Sequence, residues 1–307
     1  MRRIETRMLA TLVLPCLLLA AGCRTTAPPT LEHEHALDEM PSLAPAALEA
    51  GELLRVVATT TIVADVVSHV GGEQIELTTL LPPGADPHTF EPTPQDAVAV
   101  AQAHILFANG VGLEEFLAPF LASAGADVPV VPVSHGVELL RFEAHHHDED
   151  EHEHAHDEAD PHTWFDPHNV ILWTYNIERA LIALDPANAE AYAANAAAYE
   201  AQLEELDAWI VEQVATVPAS RRKLVTDHTA FTYFAHRYGF EQVGAVFPGY
   251  STLAQPSAQE LAALQDLIAA QGVPAVFVGI TVNPSLAERN GWPRTPAPAS
   301  SSSTPAR

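Results

Sequence analysis

The chain has 307 residues, 48% of them apolar, which is enough to bury a sizeable core and by length suggests one large domain or two lobes. Fourteen Lys and Arg stand against forty Asp and Glu, a formal charge of -26. No basic stripe is left to neutralise phosphates, which excludes nucleic acid, whereas the acidity suits cations.

The chain opens with Arg2, Arg3 and Arg7, then an apolar run from Met8 to Ala21 that Pro15 breaks. The run is too short for a membrane span and reads as a secretory signal over residues 1–22. Its ending, LAAGC, resembles a bacterial lipobox, with Ala20 where Leu is commoner, so Cys23 is expected to carry a lipid and anchor the protein outside the cytoplasm. Cys16 leaves with the signal, so no disulfide or thiolate metal site is available, and any transition-metal ligand must be His, Asp or Glu. Residues 23–52 are rich in Pro, Ala and Glu without periodicity and read as a flexible tether.

From Leu53 onward strands and helices take turns. Strands are expected at 54–59, 75–81, 104–108 and 128–133, with helices at 62–70, 95–102, 113–122 and 169–184. A stretch from Ala187 to Val214, rich in Ala, Glu and Leu and free of Gly and Pro, predicts one long helix. The alternation then resumes, with strands at 223–226, 241–247 and 275–278, helices at 231–238 and 257–270, and a further helix opening at Pro284. This order predicts an α/β protein of two (β/α) lobes with mainly parallel sheets. The first lobe covers 53–186, a rigid linking helix 187–214 and the second lobe 215–290, with a Pro- and Ser-rich tail at 291–307. The bland alternative is a single doubly wound domain, which the long helix disfavours.

Open α/β sheets bind ligands at the carboxyl ends of their strands, which singles out three histidines. His88 lies in LPPGADPHTFEPTP after the second strand, where five prolines stiffen the loop. His228 lies in LVTDHTAF, two residues past a strand of the second lobe. His162 lies in DPHTWFDP, leading into a helix. Three neutral imidazoles from facing lobes suit Zn²⁺, and Asp86, Asp160, Asp166 and Asp227 are close enough in sequence to hold the second ring nitrogen. His69, His104, His135, His168 and His236 are read as surface or structural residues, and Trp164 and Phe165 as packing for the His162 loop.

These segments, together with VVATTTIVADVV, ANGVGLEEFL, LVTDHTAFTYFAHRYGF and STLAQPSAQEL, resemble the substrate-binding lipoproteins of zinc and manganese ABC transporters, cluster A-I, over most of Leu53 to Arg289. The resemblance implies a metal in the inter-lobe cleft, with His88, His162 and His228 as ligands, delivered to an ABC permease by a monomer that performs no catalysis. Manganese members usually have Glu at the third ligand where zinc members have His, as here. The family's fourth ligand, an Asp or Glu near the C-terminus, has no match. After TVNPSLAER the expected strand and acidic loop give way to the Pro/Ser tail; water or a nearby carboxylate is then expected to complete the site, or the chain is a truncated or frameshifted product, which is favoured as the cause with a water-completed His₃ site as its consequence. Two rivals remain: a zinc hydrolase, because His₃ plus water is also catalytic, and a surface adhesin or zinc buffer. Against the hydrolase, no general base is evident near the three His motifs.

Residues 145–156 contain six His and five Asp or Glu in twelve positions and can bury almost nothing. The bland reading is a solvated charged loop. The sharper one is weak zinc collection by His145, His146, His147, His152, His154 and His156. Deleting 145–156 is expected to leave one tightly bound Zn²⁺ and lower the total zinc bound at high concentration; an unchanged total by titration removes the collector.

Overall fold

The computed structural model describes residues 39–141, 159–247, 249–253, 256–273 and 275–279. Cys23, the histidines at 145–156 and the tail at 291–307 lie outside these residues.

The first lobe is built on a four-stranded parallel sheet, in the order β2-β1-β3-β4, from β1 (Leu54–Ala58), β2 (Ile75–Thr79), β3 (Ile105–Ala108) and β4 (Val130–Pro132). Alternate side chains of a strand face opposite ways, and both faces here are covered, which is why LRVVA and ILFA read as nearly continuous apolar runs. Val56, Ala58, Ile105 and Phe107 pack against helices α1 (Thr61–Gly71), α4 (Pro167–Leu184) and α5 (Ala189–Ala215), around Val63, Val67, Trp173, Ile177, Leu181 and Tyr192. Val57, Leu106 and Ala108 face α2 (Pro94–Gln102) and α3 (Leu117–Ala124) through Val100, Leu117 and Phe120.

Local chemistry sets the helix starts. Thr60 caps α1 by accepting the Val63 N–H at 3.1 Å, and Thr93 and Asp96 form a reciprocal capping box on α2 with Pro94 at its first position. Asp166 caps α4 ahead of Pro167.

The second lobe has a three-stranded parallel sheet, in the order β6-β5-β7, from β5 (Lys223–Thr226), β6 (Glu241–Ala245) and β7 (Val276–Phe277), with helices α6 (Thr232–Tyr238) and α7 (Ala258–Gln271). Its core joins Val225, Val246 and Val276 to Leu264, Ile268 and Val273. In both sheets a central strand is extended on each side by later strands, so the chain reverses direction beside β1 and beside β5 and opens a crevice at their carboxyl ends.

The long helix α5 has 27 residues and spans about 40 Å. Its first half lies against the first lobe, burying Tyr192 and Ala196, with Asn195 Nδ2 donating to the Val70 carbonyl at 3.1 Å. Farther along, Asp207 accepts two bonds from Arg237 and one from Tyr238, all at 2.7 Å, which ties α5 to helix α6 of the second lobe. Among the described residues, no helix is long and apolar enough to cross a membrane.

The structure departs from the sequence reading at two places. Residues 40–48 are not part of a free tether running to residue 52: Met40, Leu43, Ala46 and Leu48 pack on the first-lobe core, and the Ala46 N–H donates to the Leu184 carbonyl at 2.8 Å. The apolar residues are too scattered to form a periodic element, yet the core offers a surface for each. The helix expected from Leu113 begins only at Leu117, because residues 109–116 form a turn, with positive φ at Gly110, Val111 and Gly112. That turn wraps the buried Glu114, whose carboxylate accepts the Thr59 hydroxyl at 2.6 Å and the Asn109 and Gly110 N–H groups at 2.7 and 3.1 Å. Burial pushes its pKa up against the pull of these donors.

Trp173, with no exposure, joins α4 to the sheet and the Trp164 loop. Trp173→Ala is expected to cost about 3–5 kcal/mol, read as a lowered urea midpoint.

Candidate metal centre

Three short turns carry the site. In the first, Asp86-Pro87-His88, Asp86 Oδ1 accepts the His88 backbone N–H at 3.0 Å. In the second, Asp160-Pro161-His162, Asp160 Oδ1 accepts the His162 N–H at 2.9 Å and lies 2.6 Å from the ring nitrogen Nδ1. In the third, Asp227 Oδ1 accepts the His228 N–H at 2.7 Å and lies 2.8 Å from its Nδ1. An ionised carboxylate only accepts, so a proton of each of these two rings sits on Nδ1, and Nε2 is the nitrogen that presents a lone pair when the ring is neutral.

The three Nε2 atoms converge. His162 Nε2 lies 3.3 Å from that of His88 and 3.0 Å from that of His228, and the ligand atoms of the three residues all fall within 4.8 Å of one another. Nitrogens about 2.0–2.1 Å from a tetrahedral ion stand about 3.4 Å apart, close to the separations of His162 from His88 and from His228. Lone pairs facing one another at 3.0 Å repel, and a shared cation turns that repulsion into attraction. His88 and His162 come from the first lobe and His228 from the end of β5 in the second, so the centre lies between the lobes.

Burial and neighbours set the charge state of the site. Burial, reinforced by His162 and His228, lowers the His88 pKa to about 4. Burial also lowers that of His162, although the hydrogen bond to Asp160 opposes it. Burial raises Asp227, but the His228 ring, the Gly279 N–H at 2.6 Å and the His228 N–H together hold it below the usual carboxylate range. The rings of His88 and His162 are therefore neutral at physiological pH, the form a metal requires.

The His162 turn is the most heavily braced. Its histidine is 2% exposed, with the Trp164 ring centroid 5.2 Å from its own. Asn109 Nδ2 donates to the Pro161 carbonyl at 2.9 Å, and the Thr163 hydroxyl lies 2.8 Å from that of Ser134. From the second lobe, the Tyr233 hydroxyl donates to the Asp160 carbonyl at 2.9 Å, and Phe231 stacks on Phe165 with ring centroids 4.2 Å apart.

Of the four carboxylates placed by sequence beside the histidines, Asp160 and Asp227 hold ring nitrogens. Asp86 fixes only the backbone of its histidine, and Asp166 instead caps α4 and pairs with Arg237 at 3.3 Å. His69 stacks on Tyr199, His104 lies between the backbone and the guanidinium of Arg55, and His168 faces Arg237. The His135 carbonyl accepts from Asn176, and His236 is exposed on α6. No spacing signal marks Asn109, Tyr233 or Thr252, which reach the histidine turns from 52, 73 and 166 residues away.

Two lobes closing on a cluster of imidazoles define a metal-binding receptor. Residues 56–290 match the model of the family described as zinc-uptake complex component A, periplasmic (ZnuA), and the chain belongs to that family. It is 37% identical to the manganese-binding lipoprotein MntA of Halalkalibacterium halodurans over 238 residues, 78% of this chain and 75% of that one. It is 33% identical to the iron-binding protein YfeA of Yersinia pestis, covering 76% and 72% of the two chains. The solved structure of the zinc-binding protein TroA from Treponema pallidum superposes with a TM-score of 0.69 at 29% identity, over 78% of this chain and 82% of that one. The protein is thus a metal-binding substrate-binding protein of an ABC transporter, with the two-lobed α/β fold of its relatives.

In the unfolded chain, His88 and His162 take up protons near pH 6.5, while in the folded protein both resist doing so. Stability of the metal-free protein is therefore full above about pH 6.5 and is lost as the pH falls toward the folded value of His88, about 4. Thermal unfolding of metal-free protein between pH 7 and 4 is expected to show this fall, and His88→Gln is expected to flatten part of it.

Proposed function

We propose that this protein captures Zn²⁺ outside the cytoplasmic membrane and passes it to an ABC permease, as a monomeric lipoprotein held by a lipid on Cys23. The observation that carries the reading is the convergence of the Nε2 atoms of His88, His162 and His228 from both lobes. Relatives are named for manganese, iron and zinc, so the choice of metal rests on the donors. Three neutral imidazoles favour Zn²⁺ over Mn²⁺, which prefers oxygen. Water or a carboxylate completes the coordination. Two lines argue for capture over chemistry. The relatives are named as metal-binding and transport proteins, and Asp160 and Asp227, the carboxylates nearest the rings, are engaged in holding them. The acidic chain draws cations toward the cleft, and the His tract at 145–156 would add weak sites nearby.

Metal analysis and calorimetry of the mature chain without 145–156 test the reading. One Zn²⁺ per chain is expected, bound at least about 100-fold more tightly than Mn²⁺, with the triple His88→Ala, His162→Ala, His228→Ala variant retaining none. Zinc held equally well by the triple variant, or manganese preferred by the parent, overturns the proposal.

A further inference from the structure

Both ligand turns of the first lobe have the sequence Asp-Pro-His, and the second lobe reaches each of them through its aspartate. At Asp160 the contact is Tyr233, which is 2% exposed and packed into the first-lobe core, a buried joint between the lobes. At Asp86 it is Thr252, a short, partly exposed side chain on the segment following β6. The Asp86 carboxylate is shared between two tasks. Its Oδ1 accepts the His88 N–H at 3.0 Å, and its Oδ2 accepts the Thr252 hydroxyl at 2.5 Å.

We propose that Thr252 is a cleft latch: its hydroxyl ties the His88 turn to the second lobe and thereby slows release of the bound metal. The inference rests on the metal-capture reading above. A hydroxyl bonded to a carboxylate at this distance is a short, charge-assisted bond. Parting Asp86 from Thr252 breaks it, and in the open cleft water satisfies both groups, so the net worth of the latch is modest. The carboxylate that receives the latch also fixes the His88 main chain, so the contact with the second lobe bears directly on the position of a ligand. Thr252 is a positioning residue, since it touches Asp86 and not the metal centre itself.

The test loads the full mature chain with Zn²⁺ and follows its release to excess chromogenic chelator by stopped flow. Thr252→Val keeps the shape and removes the hydroxyl, Thr252→Ala does the same with a smaller side chain, and Thr252→Ser keeps the hydroxyl. Both hydroxyl-free variants are expected to release zinc about fivefold faster or more, with association changed by less than about twofold, and Thr252→Ser to release it like the parent. Release from Thr252→Val and Thr252→Ala at the parental rate overturns the latch, as does a Thr252→Ser variant as fast as they are. A parent chain that retains no zinc overturns the capture reading together with the latch, whereas zinc retained but released at one rate by all variants overturns the latch alone.

Discussion

An imidazole binds a cation only when its proton is on the other nitrogen and its ring is aimed, and a buried carboxylate enforces both conditions here. Asp160 and Asp227 each hold one histidine by two bonds, one to its backbone N–H and one to its ring Nδ1. The carboxylates are 0% and 4% exposed, so leaving their Oδ1 atoms without donors would be costly, and the histidine that supplies those donors is fixed in return. The surrounding structure braces these two units. Gly279 reaches Asp227 from the end of β7, while Tyr233 and Asn109 grip the backbone on either side of Asp160 and Pro161.

The fold supplies what such a centre needs, a rigid frame that still comprises two bodies. Each parallel sheet leaves a crevice at its carboxyl end, and the turns that follow the strands project side chains into it. The long helix is not a free strut. Its first half is part of the first-lobe core, and Asp207 grips Arg237 and Tyr238 of the second lobe. Arg237 in turn pairs with Asp166, at the start of the helix that follows the His162 turn. One guanidinium thus joins the linking helix, the second lobe and the base of the His162 loop.

The electrostatics suit retention at neutral pH. Burial discourages the protonated forms of His88 and His162, so protons compete poorly with a metal until the medium becomes acidic. His88 is less buried than His162 and so the more open of the two rings to solvent. The protein therefore combines one deeply fixed imidazole with one that faces the solvent side, an arrangement compatible with both tight capture and release.

Much of this was legible in the amino-acid order. Alternating apolar strands and capped helices specify parallel α/β units because strand and helix periodicities are local, and Thr60, Thr93 and Asp166 mark helix starts by chemistry confined to a few residues. His88, His162 and His228 stood out because each follows a strand or a proline-stiffened turn, and the partners Asp160 and Asp227 lie within two residues of their rings. What only the tertiary structure decided acts across long stretches of chain. The docking of residues 40–48, the turn around Glu114, the reach of Tyr233 and Thr252 into the first-lobe turns and the different duties of Asp86 and Asp166 all depend on which surfaces meet. Periodicity reports which face of an element is apolar, but a hydrogen bond spanning 166 residues exists only once both lobes have folded and come together.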